Sequence, residues 1–179
     1  VRKLEEAKAA AETDSRFTRN VESLINVQPK PLTPGDFEVR LGANWVSADD
    51  VTTFTQEAMG ERIPVTYDIR TNIWSVAGDN LRSERSAGAK WGSADRSAAE
   101  ILSNVLNNRD LTVRKTGSDD KTYVDKESTA KVTDIAEKMR SAFQAWIWTD
   151  VDRGKRLLED YNRRYNNLAP REFDGSFLT

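Results

Sequence analysis

The chain has 179 residues, 27 Lys and Arg against 29 Asp and Glu, a formal net charge of −2, and neither cysteine nor histidine. Disulfides, thiol nucleophiles, Cys/His zinc sites and every Ser-His or Cys-His catalytic arrangement are thereby excluded, and no global field draws the molecule onto nucleic acid. No apolar run approaches the roughly 20 residues that cross a bilayer, and the charged start is no signal peptide. These features fit a chain of the reducing cytoplasm without membrane contact.

In chain order, Arg2 to Val27 reads as a helix whose thin apolar stripe (Leu4, Ala7, Ala11, Phe17, Val21, Leu24, Ile25) is interrupted around Thr13–Ser15. Pro29, Pro31 and Pro34 then stop any helix and leave a semi-extended connector. The domain boundary is expected there, with a linker helix and connector over 1–32 and an α-rich domain over 33–179. Thr33–Asp36 is expected to start a short helical turn running to Leu41 and ended by Gly42. Ser47 is placed as the N-cap of a helix over Ala48–Met59, with Trp45 as its hydrophobic staple and Gly60 as its stop.

Val65–Thr71 and Ile73–Ala77 alternate as two short strands turning at Asn72, with Val65, Tyr67 and Ile69 on one face. Gly78–Gly92 is polar and loop-like and carries Arg82, Arg85, Lys90 and Trp91. Ser93 is read as the cap of a helix over Ala94–Asn107, whose Ala98, Ile101, Leu102, Val105 and Leu106 form a buried stripe. Leu111–Lys115 and Thr122–Asp125 suggest a second, poorly apolar hairpin at an edge.

From Thr129 an amphipathic helix recurs through Val132, Ile135, Met139, Ala142, Phe143 and Trp146. Trp148, about 200° away from Trp146 around the axis, is expected to pack on the helix that follows. After a break at Asp150–Asp152, Leu157, Leu158, Tyr161, Tyr165 and Leu168 form the apolar side of that last helix, and Pro170 stops it. The fold class is therefore α+β, predominantly α, with one or two short hairpins. One core is expected to be shared by the 94–107, 129–149 and 153–168 helices. Tyr161 and Tyr165 are expected to be buried against the 129–149 helix. The tail from Arg171 is expected to order only where Phe173 or Phe177 docks.

Charge is uneven: Val151–Arg171 holds six basic and three acidic residues, whereas Val1–Gly60 holds seven basic and ten acidic. A local basic face is thus expected on the last helix. Arg82, Arg85, Lys90 and Trp91 in the loop, with Arg153, Arg156, Arg163 and Arg164 on the helix, are the candidate contacts to a phosphate backbone, Trp91 offering a ring to a base. A loop tryptophan folded onto the core is the alternative for Trp91.

No catalytic, cofactor or metal residue is assigned. Arg153-Gly154-Lys155-Arg156 lacks the upstream glycine and the hydroxyl of a phosphate-binding loop. Asp49/Asp50 reads as helix-start chemistry and Asp119/Asp120 as a turn.

The run Tyr161–Thr179, YNRRYNNLAPREFDGSFLT, resembles a signature of very large phage- and plasmid-borne proteins. These combine a SNF2-like DNA helicase, often with a preceding N6-adenine DNA methylase. VRLGANWVSADDVTTF (Val39–Phe54) and AWIWTDVDRGKRLLEDYN (Ala145–Asn162) look like the same family, in the same order. Phe177 stands where a His is commoner. The resemblance is to the region just before the helicase motor, and it implies that the chain is a segment of a longer polypeptide. The chain carries neither the motor's phosphate loop nor the methylase's Asn-Pro-Pro-aromatic loop. By resemblance, ATP, Mg and S-adenosylmethionine would belong to the parent protein and not to this stretch.

The implied function is a non-catalytic accessory module contacting DNA, with the helicase and methylase domains of the same polypeptide as its other partners. The alternative is a structural spacer or protein-docking domain without nucleic-acid contact. The two diverge on whether the basic residues converge on one face or lie among acidic partners.

Overall fold

The computed structural model describes residues 2–78, 90–118 and 120–166. Among them the fold is predominantly helical, with two antiparallel two-stranded sheets, an α+β architecture as expected. Contacts divide the chain into two units. One holds the residues up to Phe37 together with those from Lys155 onward; the other is Glu38–Gly154.

In the first unit the anticipated single N-terminal helix is two, α1 (Arg2–Thr13) and α2 (Thr18–Asn26), separated by a 3-10 turn at Ser15–Phe17. The break has a local cause. Asp14 is extended at φ −147°, and its carboxylate accepts the Arg16 N–H at 2.9 Å, which satisfies the new helix start and forgoes the old one. No described residue from Lys3 to Phe37 is buried.

The second unit holds the apolar core. Ser47 caps α3 (Ala48–Ala58), accepting the Asp50 N–H at 3.1 Å. The staple position before the cap belongs to Val46 and not to Trp45: Val46 and Val51 are both buried, as the N′ and fourth helical residues of a staple are. Gly60, at φ +80°, ends the helix. The short helix expected after Thr33 is a single turn, in which the Asp36 carboxylate accepts both the amide (2.7 Å) and the hydroxyl (2.8 Å) of Thr33.

Strands β1 (Val65–Asp68) and β2 (Ile73–Val76) pair antiparallel, Val65 opposite Val76 and Tyr67 opposite Trp74. Asn72 takes the left-handed φ of 56° that the turn needs. Trp74 and Val76 are buried, but Ile69 falls beyond β1 in the turn and is 82% exposed, so it is not part of the inward face. Thr55, fully buried in α3, ties down the approach to β1: its hydroxyl accepts the Ile63 N–H at 2.9 Å and donates to the Thr52 carbonyl at 2.7 Å.

Helix α4 (Ala98–Leu106) is capped by Ser97, not Ser93. Ser97 and Glu100 stand at capping-box spacing. Ser93 instead accepts the amides of Asp95 and Arg96 in the turn just before. Hairpin β3 (Arg114–Thr116) with β4 (Thr122–Val124) follows, and Tyr123 and Val124 are exposed on it, as its thin apolar content foretold.

Asp125 then caps α5 (Lys126–Ile147), three residues earlier than periodicity suggested. Val132, Ala136, Met139, Phe143 and Trp146 are buried on it, Ala136 taking the place expected of Ile135. Phe54 meets Phe143 edge-on at 5.2 Å and Trp146 at 5.5 Å between centroids.

The core is built by α3, α4, α5 and the first hairpin. Helix α6 (Val151–Tyr165) was expected to share it, but its residues from Lys155 group with the other unit. Tyr161 is correspondingly half-buried and stacks on Phe37, with centroids 3.8 Å apart and planes 5° from parallel, while Tyr165 is 51% exposed. The expected burial of both rings against the 129–149 helix is thus corrected. Leu168, Pro170 and the tail from Arg171 lie outside the described residues.

Candidate functional site

Of the described residues assigned to nucleic acid, Lys90, Trp91 and Arg153 belong to the second unit and Arg156, Arg163 and Arg164 to the first. Arg82 and Arg85 lie outside the described residues. Trp91 is 7% exposed, so the loop ring is part of the core and offers no free face to a base. The Lys90 ammonium sits 4.6 Å from its centroid, a cation–π contact that occupies the charge locally. An open cleft of about 310 Å³ beside them is lined by Glu57, Glu61, Lys90 and Trp91, of mixed sign.

Arg153 is a structural residue. Its guanidinium lies over the Trp146 ring and donates to the carbonyls of Ile147 (3.1 Å) and Trp146 (2.9 Å) and to the Thr149 hydroxyl (3.0 Å). The Trp146 carbonyl also accepts the Thr149 N–H (3.0 Å) and hydroxyl (2.7 Å), so Arg153 adds to an existing cap and supplies a partner for the Ile147 carbonyl at the end of α5. On the ring's polar edge, Trp146 Nε1 donates to Glu57 at 2.8 Å. Trp148 meets α6 as anticipated, its ring 3.5 Å from where a Cβ on Gly154 would stand.

On α6, Arg163 and Arg164 both turn back to Asp160, Arg164 at 2.9 Å. Arg156 is exposed and lines a shallow depression with Glu159, Asp160 and Arg163. A carboxylate thus stands inside the basic stripe, and each guanidinium keeps only part of its fork for an incoming phosphate.

Two arrangements went unseen in the sequence. The first joins Lys115 of β3 to Asp125 (2.7 Å), Asp95 (3.2 Å) and the Ser128 hydroxyl (3.2 Å). Asp125 is held well below the usual carboxylate range, chiefly by the Lys115 ammonium, and Asp95 is lowered chiefly by the Ser128 hydroxyl. Lys115 is raised, chiefly by Asp125, so it stays an ammonium and cannot act as a base on Ser128. The cluster is a fastening between hairpin and helix, and its signal in the sequence is only the capping pattern Asp125-x-x-Ser128. Among the described residues no group of three or more Asp or Glu is placed to hold a metal ion.

The second arrangement is at the end of α6. Asn162 Oδ1 accepts the Leu32 N–H at 2.8 Å while Asn162 Nδ2 donates to the Leu32 carbonyl at 3.1 Å. One turn on, Asn166 Nδ2 donates to the Lys30 carbonyl and to Asn162 Oδ1, both at 2.8 Å.

Residues 40–167 match the family model described as a domain of unknown function, DUF8437. The chain belongs to that family. No curated protein and no solved structure matches it. The DUF8437 match takes in the apolar core apart from Val39, the Lys115 cluster, Asn162 and Asn166, whereas Lys30 and Leu32, which those asparagines hold, precede it. No described helix is long and apolar enough to cross a membrane.

Proposed function

We propose that this DUF8437 chain is a non-catalytic connecting module within a cytoplasmic SNF2-like DNA helicase and adenine-methylase polypeptide. It serves as a structural and docking element between the neighbouring domains and does not grip DNA itself. The observation that carries this reading is the fate of the basic side chains: Arg163 and Arg164 are paired with Asp160, Arg153 covers the end of α5, and Lys90 lies on a buried Trp91. Intermixed, locally satisfied charge of this kind is a solvated surface and not a phosphate track. The parent's ATP, Mg and S-adenosylmethionine belong, on this reading, to the flanking domains.

The test is an anisotropy titration of the full chain with labelled duplex and single-stranded DNA at 50 and 200 mM salt, repeated with Arg163→Ala/Arg164→Ala. The expected result is no saturable binding at the higher salt and no difference between the proteins. Saturable binding that weakens in the double variant, with a shallower salt slope, would instead establish DNA contact. ATP hydrolysis or adenine methylation by the purified chain would overturn the non-catalytic assignment.

A further inference from the structure

We infer that the face formed by Tyr161, Asn162 and Tyr165 of α6, with Asn166 just past its last residue, is a docking site for an extended, proline-spaced peptide. In this chain its occupant is the strap Lys30–Leu32. The two spacings match. Residues four apart on a helix are displaced by about 6 Å along its axis. Residues two apart in an extended or polyproline chain are also separated by about 6 Å. An Asn-x-x-x-Asn pair can therefore address alternate residues of one extended strand. Asn162 takes Leu32 and Asn166 takes Lys30, so the strap runs antiparallel to the helix.

The strap is shaped for this. Pro29 and Pro31 fix their own φ and bar Gln28 and Lys30 from the helical region. Lys30 and Leu32 then alternate with the prolines, and Leu32 supplies the N–H that a proline could not. The Asn162 amide reads both backbone groups of one residue and no side chain. The site consequently selects backbone conformation, with Tyr161 stacked on Phe37 at the strap's C-terminal side.

The strap is also replaceable. Nothing between Lys3 and Phe37 is buried, and Leu157 is the one buried residue among those described in the first unit. Segments with few buried contacts open well below the global unfolding free energy. Opening of this one bares the asparagine face to a segment of the same kind from elsewhere. The inference concerns the chain's own peptide contact and holds whatever the parent protein does.

Hydrogen exchange read by mass spectrometry on the full chain tests it. In Asn162→Leu/Asn166→Leu, exchange across residues 28–37 is expected to rise about tenfold or more, since several hydrogen bonds are lost together. Exchange over α3, α4 and α5 is expected to stay unchanged. Leu32→Pro, which removes the N–H that Asn162 accepts together with the leucine side chain, is expected to raise exchange in the same segment. Unaltered exchange at 28–37 in both variants, or acceleration spread equally over α3–α5, overturns the assignment.

A synthetic peptide of residues 27–37 supplies the second arm. A tethered strap has an effective concentration of roughly millimolar. Several millimolar peptide is therefore expected to speed exchange of the strap in the wild-type chain and to do nothing in the double asparagine variant. No acceleration in the wild type would show that the face does not accept an exchangeable peptide.

Discussion

The guanidinium carbon of Arg153 lies 3.6 Å from the centroid of the Trp146 ring, so one side chain both covers an indole and closes the end of the helix that carries it. Arg153→Ala is expected to cost about 2 kcal/mol, summing a cation–π contact with hydrogen bonds from a charged donor. Arg153→Lys is expected to recover less than half, because an ammonium cannot span the Ile147 and Trp146 carbonyls while lying flat on the ring. Urea unfolding followed by tryptophan fluorescence measures both.

Acid is expected to loosen the fastening of β3 to α5. Asp125 and Asp95 are held below their ordinary 3.8. The stability they contribute is complete above about pH 4 and lost as pH falls through their lower folded values. Lys115 is raised above 10.5, so its contribution is complete below that pH and lost as pH rises through its higher folded value. Lys115→Met removes the ammonium, returns Asp125 toward its ordinary value, and is expected to flatten the fall in Tm between pH 5 and 2.5. Thermal melts across that range decide it, and an unaltered slope would mean that other carboxylates set the acid response.

Two glycines are expected to respond to alanine with opposite signs. Gly42 adopts φ +92°, and a Cβ there would stand 2.6 Å from the Leu106 carbonyl oxygen, a backbone atom with little room to move. Gly42→Ala is expected to lose more than about 2 kcal/mol. At Gly154 a Cβ would meet the Trp148 ring at an ordinary 3.5 Å. Gly154→Ala should therefore gain about 0.5–1 kcal/mol from helix propensity alone. Chemical denaturation midpoints at constant m-value give both.

The two serines before α4 offer a direct comparison. Ser97→Ala removes the acceptor for the Glu100 N–H at 3.1 Å and is expected to cost about 1 kcal/mol. Ser93→Ala disturbs only the preceding turn and is expected to cost less. Equal losses would mean that the helix effectively begins at the earlier serine.

The contrast explains what the sequence could and could not disclose. The 94–107 pattern located a helix through Ile101, Leu102, Val105 and Leu106. Its start was misassigned to Ser93; a second serine stands four residues on, and Glu100 at capping-box distance marks Ser97 as the cap. Periodicity likewise revealed Val132, Met139 and Phe143, since one face repeats wherever a single core lies beneath it. It placed Tyr161 on the less polar side of α6 but gave it the wrong partner, the 129–149 helix in place of Phe37. Phe37 lies 124 positions earlier in the chain, and no local spacing encodes such a meeting. The basic residues were legible as charges, whereas their occupation by Asp160, by carbonyls and by a buried indole arises only in three dimensions. Asn162 and Asn166 were visible only as part of a resemblance, because a side chain that reads another segment's backbone leaves no periodic trace.

Asn107, just past α4, carries one further consequence. Its Oδ1 accepts the Trp74 N–H at 2.9 Å and its Nδ2 donates to the Trp74 carbonyl at 2.8 Å, imitating the neighbouring strand that β2 lacks on that side. A four-residue strand whose second residue is already matched presents too few open peptide groups to recruit another chain. One amide thereby leaves the open edge of a tryptophan-bearing hairpin with fewer free peptide groups for a second copy to pair with.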